Sequence, residues 1–228
     1  MPFFFFDPTM ILLIPALILA GWAQMKVRAT YRQFQQISSA RGITGAMAAE
    51  AILRSNGIYD VEIEAVPGEL TDHYDPRVKK LRLSQANYAS DSLAAVAVAA
   101  HESGHALQHA GAYVPLELRH AILPVTNFAS MAAFPIFLIG FLFNASFLIQ
   151  LGIIFFSGVV LFHVVTLPVE FNASSRAIAQ LQALGILSPT ELSAARKVLN
   201  AAALTYVAAA TMALLELVRL LILSSNRD

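Results

Sequence analysis

Cysteine is missing from the 228 residues, which excludes disulfides and any thiolate-ligated metal site. Charge is scarce as well: only 13% of residues are Asp, Glu, Lys or Arg, with 15 basic side chains balancing 15 acidic ones. No basic tract is concentrated enough to form the footprint of a nucleic-acid-binding surface, so nucleic acid is not an expected partner. What the chain has in quantity is apolar side chain, 57% of the total and gathered into long runs. That pattern predicts an integral membrane protein with the lipid bilayer as its main surroundings.

The first run, FFFFDPTMILLIPALILAGW from Phe3 to Trp22, is about long enough to cross a bilayer. A cleavable signal would carry positive charge before its apolar stretch and a small-residue cleavage site after it. Here Asp7 precedes and MKVRATYR follows, which predicts a retained span. Pro15 is expected to bend it; Pro8 either adds a second bend or belongs to an interfacial lead-in. Lys26, Arg28, Arg32 and Arg41 come next, and the positive-inside bias places this side in the cytoplasm and the N-terminus outside. Ala121 to Phe143 and Phe147 to Val165 are apolar again, broken by Asn144-Ala145-Ser146, and read as a transmembrane hairpin.

The last span has a marked start. Ser188 suits an N-cap, Pro189 the first helical position and Glu191 the capping-box partner, and the helix runs on into the apolar stretch Leu204 to Leu223. Arg176, Arg196 and Lys197 fall on the cytoplasmic side, whereas Arg219 and Arg227 lie near or beyond the distal end. Glu216 stands three residues before Arg219, a spacing that favours an interfacial ion pair over a transport role. The expected organisation is a first span over 1–25, a cytoplasmic region over 26–120 and a transmembrane hairpin over 121–166. A cytoplasmic helical region over 167–200, a last span over 201–223 and a tail over 224–228 complete it.

Between the first span and the hairpin the chain has the pattern of a small soluble fold. Ile43 to Ser55 reads as an amphipathic helix closed by the Asn56-Gly57 turn. Tyr59 to Val66 reads as a strand closed by Pro67-Gly68, and Lys80 to Ser84 is its candidate partner. TDHYDP, Thr71 to Pro76, has two readings. Either it lines a cleft, with His73 or Tyr74 donating to a substrate oxygen, or it is a turn capped by Asp72 and Asp75.

The stretch that carries chemistry is SLAAVAVAAHESGHALQHA, Ser92 to Ala110. Its alanines favour helix, and Ser90, Asp91 or Ser92 can cap its start. Residues four apart lie one above the other on a helix, so His101 and His105 can offer ring nitrogens to one metal ion while Glu102 flanks a water. His109, a turn further on, has drifted round the helix and is expected to support or pack rather than ligate. Catalytic zinc takes three protein ligands and keeps one position for water. Two crossings return Glu170 to the side of the motif helix, which makes it the preferred third ligand; Asp75 and His163 are the weaker candidates.

These stretches, TDHYDP, LRLS, the H-E-x-x-H helix, YVPLELR and TLPVEFNAS, resemble the membrane-bound YugP-like neutral zinc metallopeptidases over most of the chain. The resemblance implies Zn2+ as cofactor, His101, His105 and Glu170 as its ligands, and Glu102 as catalytic base. It implies an α-helical integral membrane protein with about four transmembrane helices and a small α+β, zincin-like cytoplasmic catalytic region. A more distant similarity is to CAAX-processing and HtpX-type peptidases, whose later ligand sits in E-x-x-x-D; here the string is Glu170-Phe171-Asn172-Ala173-Ser174, with serine at the aspartate position. Ser174 can hydrogen-bond but supplies no fixed negative charge.

The resulting expectation is a zinc-dependent endopeptidase of the bacterial cytoplasmic membrane, cutting protein or peptide substrates near the cytoplasmic face. His73, Tyr74, His109, His163, Ser174 and Arg176 are candidates for touching substrate or supporting the ligands. An extended substrate is expected to add to an edge of the small sheet. A homo-oligomer or a membrane-protein partner is compatible with the exposed apolar faces. The alternative of another class is a noncatalytic membrane scaffold, whose partner binding would not need metal.

Overall fold

The computed structural model describes residues 8–225; Phe3 to Asp7 of the expected first span, and Arg227, lie outside them. A 3-10 turn, Pro8–Leu13, leads into α1 (Ile14–Phe34), followed by α2 (Gly45–Ser55), β1 (Glu62–Val66), β2 (His73–Asp75) and β3 (Lys80–Ser84). Then come α3 (Gln85–Tyr88), α4 (Leu93–Ala110), α5 (Val114–Leu142), α6 (Ser146–Ala183) and α7 (Pro189–Ser225). Four helical stretches, Pro8–Phe34, Val114–Leu142, Ser146–Ala183 and Pro189–Ser225, are long and apolar enough to cross a membrane. The protein is therefore a multi-pass membrane protein with a small mixed sheet.

The described chain divides into two compact units. One gathers the apolar parts of the long helices, 8–24, 118–167 and 205–225; the other consists of 25–117 and 168–204. In the first, Phe137, Ile149 and Leu220 form a buried cluster. A Cβ on Gly140 would stand 2.6 Å from the Ile149 nitrogen, and one on Gly152 would stand 2.8 Å from the Phe137 nitrogen. Small residues are thus what let α5 and α6 approach so closely, as in other membrane helix pairs.

The second unit holds the sheet, and its strand order is β1-β3-β2. β3 is the central strand and alternates: Leu81 and Leu83 are fully buried, whereas Lys80 and Arg82 face the other way. There they flank Glu64, which accepts from Lys80 Nζ at 2.7 Å and from Arg82 Nε at 2.5 Å. β1 and β3 pair as the sequence predicts, and the pairing is parallel. His73–Asp75 of TDHYDP is itself a strand, antiparallel to β3, which the sequence did not show. Asp72 caps no turn but accepts from the Ser84 backbone N–H at 2.7 Å and from Asn87 Nδ2 at 2.8 Å. Asp75 does close a turn, accepting from the Arg77 N–H at 3.0 Å.

The core of this unit lies among α2, α4, the C-terminal part of α6 and the start of α7. Ile52, Val96 and Leu181 are essentially inaccessible there. Each contributes roughly 1.5–3 kcal/mol by leaving water. The start signals read for α4 and α7 act as expected, and α2 has a cap that was not read. Thr44 caps α2, Ser92 caps α4 by accepting from the Ala95 N–H, and Glu191 accepts from the Ser188 N–H at 2.8 Å in a closed capping box. Glu191 also accepts from the Ala40 N–H at 2.6 Å, fastening the start of α7 to the loop after α1.

Candidate metal centre

α4 supplies the two imidazoles and α6 the carboxylate. The register of α4 stacks His101 and His105, whose ring centroids are 4.8 Å apart with planes at 83°. α6 continues without a break through Pro168, so Glu170 lies well inside a helix of 38 residues rather than at the start of a new one. At 1.5 Å per residue such a helix is about 57 Å long, against the roughly 30 Å of hydrocarbon in a bilayer. One helix therefore has the length both to span and to present Glu170 beyond the span.

α4 and α6 meet at small residues. A Cβ placed on Gly104 would stand 2.5 Å from the Ala173 carbonyl oxygen, well inside contact distance. Glycine in the H-E-x-x-H string is therefore what allows the ligand-bearing helices to touch. Gly104→Ala should cost at least about 1–3 kcal/mol by overpacking and should loosen metal retention; a chelator-competition titration of the purified variant measures it. Alanine at 104 with wild-type metal affinity would contradict this packing account.

The geometry suits a metal ion. Glu170 is only 2% exposed, and its Oε2 lies 3.3 Å from His101 Nε2 and 3.6 Å from His105 Nε2. Ligand atoms bound at about 2.0–2.2 Å with tetrahedral angles stand about 3.3–3.6 Å apart. Among the described residues these three form the one group of histidine and carboxylate side chains able to hold a metal, their ligand atoms all lying within 4.8 Å of one another. Burial alone would depress the His105 pKa, but the facing Glu170 carboxylate, the charge of Glu102 and the contact with Gln108 together raise it. Glu102, next to His101, is itself buried.

The supporting contacts are only partly those the sequence suggested. Ser174 Oγ is 3.1 Å from His101 Nδ1, so serine at the aspartate position still engages the ligand's far nitrogen. Arg176 donates from Nε to Asn172 Oδ1 at 2.7 Å and lies 5.8 Å over the Tyr113 ring. His109 pairs with Tyr74, Nδ1 to Oη at 2.8 Å, in a small pocket of about 220 Å³ with Asp60 and Lys79. Burial there, with Asp60 and Asp75 nearby, pushes the Tyr74 phenol up to about 12, which keeps it a neutral hydroxyl.

His73 is exposed on β2, its Nδ1 2.8 Å from the Thr71 carbonyl oxygen. Asp75 lies 3.4 Å from Arg82 and His163 belongs to the apolar unit, so neither joins the cluster. Two neighbours went unread in the sequence: Gln108, whose Oε1 is 3.0 Å from His105 Nδ1, and Asn172, 3.0 Å from Gln108 Nε2. The available signal was spacing, since Gln108 follows His105 by three on the same helix face.

An H-E-x-x-H helix beside a buried glutamate, in a chain with four potential membrane helices, defines the class of membrane-associated metallopeptidases. Residues 9–225 match the profile of a family described as "Putative neutral zinc metallopeptidase", and the chain belongs to that family. It is 50% identical over 215 residues to "Putative membrane protease YugP" of Bacillus subtilis (strain 168), covering 94% of this chain and 96% of that protein. No solved structure matches. With the three-residue cluster, this makes the protein an enzyme, a membrane-associated zinc peptidase.

Proposed function

We propose that the chain hydrolyses peptide bonds of protein substrates at a Zn2+ ion held by His101, His105 and Glu170, with Glu102 as general base. The observation that carries this is the convergence of two Nε2 atoms of α4 and one buried carboxylate oxygen of α6. Two imidazoles and one carboxylate, without thiolate, are a donor set typical of catalytic zinc. Bound there, zinc would polarise the scissile carbonyl and lower the pKa of water to about 7.

The chain's own residues do the rest. Glu102 adjoins His101 on α4, where a carboxylate oxygen can take the proton of the attacking water and return it to the departing amine nitrogen. Its burial limits competition from bulk water. Ser174 and Gln108 contact the Nδ1 atoms of His101 and His105, which directs both Nε2 atoms toward Glu170. An edge strand of the sheet, β1 or β2, can take an extended segment as an added strand, which favours unfolded or flexible substrates.

The purified protein should contain about one zinc per chain and cleave an unfolded-peptide library, and chelation should abolish cleavage. Zinc-free protein, or cleavage indifferent to chelation, would overturn the proposal and favour a membrane scaffold.

The same reading places the catalytic unit in the cytoplasm, because Lys26, Arg28, Arg32, Arg41, Arg196 and Lys197 crowd the segments between spans one and two and between three and four. It follows the domain boundaries expected from the sequence and leaves a homo-oligomer or a membrane-protein partner open to test. Single cysteines test the orientation in a chain that has none. Ser39 is buried, so exposed Gln36 and Thr190 are the better cytoplasmic reporters, with exposed Ser146 for the hairpin turn. An impermeant thiol reagent on intact cells should label Ser146→Cys alone; labelling of Gln36→Cys or Thr190→Cys would reverse the orientation.

A further inference from the structure

We propose that Gln108, with Asn172 and Arg176 behind it, is a positioning residue that fixes the tautomer of His105 and so keeps its Nε2 lone pair available to the metal. This rests on His105 being a ligand, as proposed above. Gln108 is fully buried, and three hydrogen bonds surround its amide. The polarity of those bonds can be worked out from groups that have only one role.

The Val169 backbone carbonyl can only accept, and it lies 2.8 Å from Gln108 Nε2, so the amide must turn its NH2 toward α6. Arg176 can only donate, and its Nε lies 2.7 Å from Asn172 Oδ1, so Asn172 must present oxygen. That oxygen also accepts from Gln108 Nε2 at 3.0 Å. Two independent constraints therefore orient the Gln108 amide the same way. Its Oε1 then faces His105 Nδ1 at 3.0 Å and can only accept, so Nδ1 carries a proton, and in the neutral ring the lone pair is left to Nε2, the nitrogen 3.6 Å from Glu170 Oε2.

The path of donors and acceptors thus starts at an arginine that is always charged and ends at a metal-facing nitrogen. It also links α4 to α6 by side-chain bonds, in addition to the Gly104–Ala173 contact. Each neutral amide in the path has a donor and an acceptor side, so the direction of the path is set from its arginine end.

The test reads zinc affinity and His105 protonation separately from activity. In zinc-free, full-length protein with 15N-labelled imidazoles, held at a pH above the His105 titration so that the ring is neutral, the His105 signal should report its proton on Nδ1, and in Gln108→Leu that preference should be lost. Zinc affinity by chelator competition should fall about 10–100-fold in Gln108→Leu, the usual effect of removing a residue that orients a metal-bound histidine. Asn172→Asp keeps an acceptor for both Arg176 and Gln108 and should hold zinc close to wild type; Asn172→Leu should weaken zinc. If Gln108→Leu does not fold, the two Asn172 variants decide.

Wild-type zinc affinity in Gln108→Leu, equal losses in both Asn172 variants, or a neutral wild-type His105 ring with its proton on Nε2 would each overturn the inference. A wild-type protein that binds no zinc would instead sink the metal centre itself, so the two failures are distinguishable.

Discussion

Glu102→Gln should keep its zinc and lose its peptidase activity. The substitution is nearly isosteric and touches none of the three residues of the cluster, His101, His105 and Glu170, so metal content and thermal stability should stay close to wild type. What disappears is the carboxylate that accepts a proton during attack and returns one to the leaving nitrogen. Positioned general acid–base groups contribute about 10²–10⁴-fold, so kcat/KM on an unfolded-peptide library should fall by at least about 100-fold. Zinc analysis and initial rates on one preparation check both halves. Equal rates in variant and wild type would remove Glu102 from the chemistry, whereas lost zinc would make it part of the metal shell.

Glu170→Gln should behave differently, with zinc and activity falling together. Glu170 is buried and faces both imidazoles, so an amide in its place removes the negative charge that a divalent ion needs among otherwise neutral ligands. Replacing residues that merely support a metal ligand costs about 10–100-fold in affinity, so loss of the carboxylate ligand should exceed that range. Competition with a chelator of known affinity measures it. Asp75→Asn and His163→Gln should leave zinc unchanged, because neither side chain joins the cluster. If either of them released zinc while Glu170→Gln did not, the third ligand would have been misassigned.

The part of this architecture that could be read from sequence is the part that local chemistry determines. The H-E-x-x-H spacing puts both histidines on one helical face whatever surrounds it, and Ser92 and the Ser188–Glu191 box cap their helices within a single turn. Leu81 and Leu83 alternate with Lys80 and Arg82, so β3 was legible too. β2 was not, because three residues, His73 to Asp75, are too few to show a period and Asp72 and Asp75 are residues typical of turns, one of which Asp75 does close.

Nor could sequence show that Gly104 of α4 meets Ala173 of α6. Small residues are frequent in both helices, and which pair touches depends on tertiary packing. Topology and resemblance pointed to Glu170, but its depth and its distances to both imidazoles come only from that packing. Gln108 and Asn172 were missed for the same reason. A glutamine three residues past a histidine is ordinary until Val169 and Asn172 supply the groups that orient its amide.

X-ray absorption at the zinc edge, on purified wild type and Glu170→Gln loaded with zinc, tests the central claim most directly. The account predicts two imidazole nitrogens at about 2.0–2.1 Å and a carboxylate oxygen at about 2.0–2.2 Å in wild type, with the carboxylate contribution lost in the variant. Spectra that are identical in the two proteins would contradict it.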